Sequence, residues 1–302
     1  MVINFFCPQK SIIYGKKPLF LSSFMIKVIA ILTMTLDHIG YSLKTYNVSS
    51  ELAEVFRNLG RLALPLFCFM IVEGVLHTKS FKKYALRLGI ALIAVAIGMI
   101  IVEYLPLFSD LSIRGDGNIF VDLLLGATAV YCLKDKRAWV KALAILPLGF
   151  AIGASFANGF ECIECGRKVW IIPFFLRTQA NFYGVLLIIG FYVAHVIGDL
   201  YIKYVTKDIY RGTKYERLAK NLMSFLVLII INLVFYFGSM YIDNSIINYL
   251  DVELQLVSIF AGIIIIFYNE DKGYDAYWFK YGCYLYYPIH MIVIYALFAL
   301  LF

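Results

Sequence analysis

Apolar runs of about 17 to 25 residues recur along the whole of this 302-residue sequence, the length a helix needs to cross roughly 30 Å of hydrocarbon. They fall at 24–44, 56–77, 84–105, 118–134, 139–157, 181–202, 220–241, 253–268 and 281–301. Lipid offers the backbone no hydrogen-bond partners, and a helix needs none because it satisfies its own. The reading is an all-α, polytopic transmembrane helical bundle of about nine spans. The range is eight to ten, because "VWIIPFFL" at 169–176 could dip into the membrane without crossing it. Composition agrees: 62% hydrophobic, 16% charged and a mean hydropathy of +0.81 lie far from soluble domains.

Residues 1–23 carry Lys10, Lys16, Lys17 and Pro18 and are too long and too broken for a standard signal peptide. Orientation follows from basic residues in the short loops, which favour the cytoplasmic side. Lys79, Lys82 and Lys83, then Lys134, Lys136, Arg137 and Lys141, then Lys203, Lys207, Arg211, Lys214, Arg217 and Lys220 all fall on one predicted side. The opposite loops, "EYLPLFSDLSIRGDGN" and "YIDNSIINYLDVE", are acidic. The N-terminus is therefore expected in the cytoplasm, with the chain multi-pass in the cell (inner) membrane. No repeat divides the sequence, so residues 1–302 are read as one domain. Cys162 and Cys165, on a predicted external loop, could form a disulfide or remain free; a zinc site would need further ligands nearby. No metal and no nucleic-acid partner is expected.

Polar residues inside the spans are the informative ones, since an unpaired charge in lipid costs several kcal/mol by most estimates. Asp37 and His38, then Arg61, Glu73 and His77, then Arg87, Asp122, His195, Asp199 and His290 all lie in or at the edge of apolar runs. Glu73 and His77, Asn118 and Asp122, and His195 and Asp199 are each four apart, so each pair can meet on one helical face. Two of these pairs, Glu73/His77 and His195/Asp199, also have a plainer reading as solvated helix ends beside charged loops. Asp37 and His38 project about 100° apart, so each needs a partner from another helix. Arg61 is a natural partner for Asp37. His38 lies deep in its span, where a neutral imidazole can take a proton from an acceptor; the plainer reading is a histidine bonded to a neighbouring helix.

"IKVIAILTMTLDHIGYSL", "RNLGRLALPLFCFMIVEGVLHTKSFKKYALRL", "GNIFVDLLLGA" and "KYGCYLYYPIHMIVIY", in that order, resemble the signature segments of the TraX family. These are polytopic membrane acetyltransferases named for the enzyme that acetylates the N-terminus of conjugative pilin. The resemblance covers the first 130 residues and the last 25; from about 135 to 275 only hydropathy agrees. It points to Asp37, His38, Arg61, Pro65, Glu73, Gly74, Arg87, Asn118, Phe120, Tyr287, Pro288 and His290. Asp122 stands where the family usually has threonine. A more distant likeness to other membrane acyltransferases, which carry a basic residue about eleven before a histidine, matches Lys27 and His38 here.

The resemblance implies an acetyltransferase that uses cytosolic acetyl-CoA, or another acyl-CoA, as co-substrate. The acceptor would be an amine such as a secreted peptide or pilin N-terminus, or a hydroxyl as in a glycan. His38, Asp37, Glu73 and Arg61 are expected to be catalytic, with His38 taking the acceptor's proton and Asp37 or Glu73 setting its charge state. Arg87, Asn118, Asp122, Tyr287, His290, Lys82 and Lys83 are expected to bind substrate or cofactor; for the lysines this is a reading of the loop charge, through phosphate oxygens, and the plainer reading is a topology signal alone. A proton-coupled transporter also uses buried carboxylates and histidines, but no inverted repeat is visible. A non-catalytic membrane assembly factor is a third reading.

Overall fold

The computed structural model describes residues 19–106, 117–160, 172–241 and 252–301. Cys162 and Cys165, and the acidic loops around 110 and 243, lie outside the described residues. The described chain is helical, with α1 (Ser23–Thr45), α2 (Ser50–Gly60), α3 (Ala63–His77), α4 (Phe81–Tyr104), α5 (Ile119–Lys134), α6 (Ala138–Ala142), α7 (Ile145–Phe160), α8 (Asn181–Tyr204), α9 (Lys214–Tyr241), α10 (Val252–Leu256), α11 (Ala261–Ile266) and α12 (Tyr277–Leu301). All nine apolar windows of the sequence contain helix. Seven are long and apolar enough to span: α1, α2 with α3, α4, α6 with α7, α8, α9 and α12.

The two windows that fall short of nine do so for a structural reason. Helix α5 starts deep in the bundle: its N-cap Asn118 accepts from Phe120 N–H at 3.0 Å and donates to Leu92 O at 3.1 Å, in the middle of α4. At 16 residues it is about 24 Å long by helix geometry, less than the hydrocarbon thickness. Helices α10 and α11 are likewise short, joined by a 3-10 turn at Val257–Phe260. The described part of the "VWIIPFFL" stretch does not cross. Residues 172–180 hold only a 3-10 turn, Phe174–Leu176, and then Arg177 and Thr178, both buried. Non-helical backbone at this depth survives only where protein covers it. Here Asn118 Nδ2 reaches Phe175 O at 3.3 Å, Asn118 N–H donates to Arg177 O at 2.8 Å, and Arg177 Nε donates to Ile172 O at 2.8 Å.

Helix α3 is the central post. Before Glu73 it is apolar on every side, and Leu66, Cys68, Phe69 and Val72 are fully covered, as expected for a helix enclosed by others. Its separation from α2 at Arg61 and Leu62 follows from Pro65, whose ring would clash with the Arg61 carbonyl in a continuous helix. Small residues let neighbours approach: Gly126 packs on Ile188, Gly190 on Ile231, and Gly262 on Phe225.

Four contacts gather the basic loops at one face. His77 meets Glu270 at 2.9 Å, Lys134 Nζ donates to Leu76 O at 3.0 Å, Lys220 meets Asp199 at 2.9 Å, and Ser23 N–H donates to Asp271 O at 2.8 Å. The start of α1, the end of α3 and the ends of α5 and α8 thus share a face with the charge asymmetry read from the sequence.

Candidate functional site

Among the described residues, two clusters of buried polar side chains gather most of the expected histidines and carboxylates. The first lies in the interior, built from the first and last helices. His38 on α1 and His290 on α12 are both buried, with ring centroids 5.1 Å apart. Tyr287 approaches both edge-on, at 6.3 Å from His38 and 5.5 Å from His290. Tyr295 stands 6.4 Å from His38, also edge-on. The Tyr287 hydroxyl donates to Gln179 Oε1 at 3.0 Å, and Gln179 N–H donates to Asp122 Oδ2 at 2.8 Å. A polar track therefore runs from the histidine pair to the non-helical segment and on to Asp122, which is fully buried on α5. Phe120 closes the track against Tyr287 at 5.4 Å.

Asp37 points away from this pair, as adjacent helical residues must. Its main partner is Arg57 at 2.9 Å, with Arg61 at 3.8 Å. The expected Asp37–Arg61 pair therefore meets, but as the longer contact. Arg57 went unnoticed in the sequence, although it lies one helical turn before Arg61. Gly60 leaves room for the arrangement, since a β-carbon there would overlap Asp37.

The second cluster lies at the face of the basic loops. Glu73, 3% exposed on α3, accepts from Arg217 at 2.6 Å and sits 3.1 Å from His195 Nε2. Both partners are themselves buried, on α9 and α8. The expected Glu73/His77 pair does meet, with His77 Nδ1 2.9 Å from the Glu73 carbonyl oxygen, but the shorter contacts of the Glu73 carboxylate are between helices. His77 keeps only a 3.6 Å approach to the Glu73 carboxylate and directs Nε2 to Glu270 at 2.9 Å. Asp199 pairs with Lys220 rather than His195. Glu73 is thereby held away from the role of setting the His38 charge state. Glu73, His77 and Glu270 bring three potential ligand atoms within 4.8 Å of one another. The Arg217 guanidinium also lies against both carboxylates, at 2.6 and 3.8 Å. The loop residue Glu270 has its pKa lowered, chiefly by the hydrogen bond with His77. Beside these groups lies a cavity of about 280 Å³ lined in part by Lys134, Tyr192, His195, Arg217 and Lys220.

The remaining expected residues are dispersed. Asn118 spends its side chain capping α5 and tethering Leu92 and Phe175, which leaves its amide no N–H for an oxyanion. Arg87 lies near the start of α4 with its guanidinium 5.8 Å from the Tyr84 ring, and Lys82 and Lys83 are exposed at the basic face. Gln179, Arg217 and Glu270 were missed by sequence reasoning. For Gln179 the available signal was "RTQAN" at 177–181, a polar run placed directly after an apolar one.

An all-helical, multi-pass membrane bundle whose first and last spans meet at a buried histidine pair is the class that fold and site define. The TraX protein family model matches residues 22–298, and the chain belongs to that family. Among curated proteins it is 30% identical over 165 residues to the probable fimbrial assembly protein FimC, serogroup H1, of Dichelobacter nodosus. That alignment covers 54% of this chain and 63% of the relative's length. No solved structure matches.

Proposed function

We propose that this protein is an integral membrane acyltransferase that moves an acetyl group from acetyl-CoA to an amine, such as a peptide or pilin N-terminus, or to a hydroxyl. The observation that carries the reading is the buried meeting of His38 and His290 inside a tyrosine-lined interior. Such a pair supplies buried imidazoles of a kind whose ordinary pKa suits proton transfer near neutrality. The relative's printed link to fimbrial assembly favours a pilin-like acceptor. The membrane would be the cell membrane, with the basic face in the cytosol, where acetyl-CoA is made.

In this reading the donor's phosphates approach the basic face, where Lys134, Arg217 and Lys220 line the cavity and Lys82 and Lys83 are exposed nearby. At 280 Å³ the cavity suits one end of the donor rather than the whole molecule. Arg217 and Lys220 are paired to carboxylates, so phosphate oxygens would enter by exchange with Glu270 and Asp199. Tyr287 stands beside the histidines, where charge would develop on the thioester oxygen, and its one hydroxyl proton would have to turn from Gln179 Oε1 to meet that charge.

The test is thermal unfolding of the purified protein in nanodiscs with CoA added. At 100 times the dissociation constant, a ligand of the native state alone adds about 2.7 kcal/mol. The reading predicts a saturable rise in the midpoint with CoA that pantetheine, which lacks the nucleotide, does not reproduce. No shift at millimolar CoA would oppose it.

A further inference from the structure

His290 Nδ1 lies 2.9 Å from the carbonyl oxygen of Tyr286, one turn earlier on α12. A carbonyl oxygen accepts and never donates, so the proton of this hydrogen bond sits on Nδ1. The neutral ring then carries its lone pair on Nε2. That nitrogen is buried without a hydrogen-bond partner, on a residue 5% exposed. A cationic ring would instead place a second N–H there with no acceptor, the expensive way to bury a donor.

The ring is also held from several sides. The Tyr286 ring stacks on it at 4.8 Å with planes 3° apart, and the Tyr286 hydroxyl is 2.8 Å from Thr35 Oγ1 on α1. Tyr287 and His38 flank it at 5.5 and 5.1 Å. By contrast, His38 is contacted through ring edges, by His290, Tyr287 and Tyr295.

We infer that His290, through Nε2, is the proton acceptor of the reaction centre, and that Tyr286 is its positioning residue. This rests on the acyl-transfer reading and reassigns the proton that sequence reasoning gave to His38. The acceptor's amine nitrogen attacks the thioester carbonyl carbon, the new C–N bond forms and the C–S bond breaks. The amine proton passes to His290 Nε2 and from there to the departing sulfur, leaving CoA as the thiol and the ring neutral again. A hydroxyl acceptor gives up its O–H proton along the same path.

Two measurements on the full chain in nanodiscs test this separately from the function itself. With only four histidines in the protein, ¹⁵N-histidine NMR can assign each ring by single substitution. A neutral ring protonated at Nδ1, whose signals vanish in His290→Gln, is expected; a proton on Nε2 of His290 overturns the inference. In acetyl transfer, His290→Gln should lose about 10² to 10⁴-fold in kcat while CoA binding persists, and imidazole should partly restore His290→Ala. Tyr286→Ala should lower kcat with the donor KM unchanged. A folded His290→Gln with near wild-type turnover overturns the role of His290 and leaves the acyltransferase reading intact. A wild-type protein that binds no CoA and transfers nothing fails that reading, and the base role with it, even if the tautomer is as described.

Discussion

Arg217→Met is the sharpest test of how this bundle is held together. The guanidinium is 6% exposed, bonds the 3% exposed Glu73 carboxylate at 2.6 Å and lies 4.4 Å from the Tyr268 ring. Methionine keeps most of the apolar stem but removes the charge, so Glu73 is left with His195 at 3.1 Å as its one close partner. Removing one member of a buried pair costs about 3 to 5 kcal/mol, because the surviving charge stays desolvated. At roughly 2 to 4 °C per kcal/mol for a chain of this order of size, the midpoint should fall by about 10 °C. Glu73→Gln should cost less, because Arg217 keeps Glu270 at 3.8 Å and the Tyr268 ring. The double variant carries neither charge, so it should be less destabilised than the sum, with a coupling of about 2 to 3 kcal/mol. Circular dichroism melts of the four proteins in one detergent supply the cycle. His77→Ala is the control: His77 and Glu270 are 55% and 47% exposed, and such a pair is worth at most about 1 kcal/mol. Additive single effects, or an Arg217→Met melt matching wild type, would refute the claim that this buried triad ties α3, α8 and α9.

Other outcomes follow from single contacts. Gly60→Ala should drive Asp37 off Arg57, since the added methyl overlaps the aspartate; acetyl transfer and the melting midpoint should both fall, and an unchanged midpoint would show α1 and α2 packed differently. Asn118→Ala removes the cap of α5 and frees Leu92 and Phe175 carbonyls, a loss of about 1 to 3 kcal/mol in the same melts; a neutral effect would mean the 172–180 segment is anchored without it. Glu270 is a carboxylate whose folded-state pKa is depressed, so its contribution is present above the ordinary glutamate range and disappears as pH falls through the lowered value. Glu270→Gln should therefore be less stable than wild type at neutral pH and indistinguishable from it well below about pH 4; a gap that widens in acid contradicts the assignment.

The spans were legible because lipid imposes a one-dimensional rule: an uncovered backbone must be helical and its side chains apolar, and both conditions appear as run length. The depth of His38 and His290 was legible for the same reason. Partners were not. The i, i+4 rule paired Glu73 with His77, which do meet at 3.6 Å, and His195 with Asp199, but the closest partners of Glu73 are His195 and Arg217. Those residues lie on α8 and α9, so no periodicity within α3 encodes the contact. Asp122, standing where the family usually carries threonine, read as a residue for binding substrate or cofactor. Its purpose became visible only with the non-helical segment beside it, whose Gln179 N–H it accepts. The same segment explains why α5 stops short of a full span, which hydropathy alone had counted as a crossing.

The most direct measurement is acetyl transfer by the purified protein. Reconstituted into vesicles with acetyl-labelled acetyl-CoA and a peptide bearing a free N-terminal amine, wild type should release CoA and label the peptide in equal amounts. His38→Ala and His290→Gln should retain the fold and lose that transfer, and neutralising Lys82 and Lys83 should raise the donor KM while sparing kcat. Stoichiometric labelling that depends on both histidines is the predicted result. Transfer unaffected by either substitution, or none from a folded wild-type protein offered amine and hydroxyl acceptors, would contradict the account.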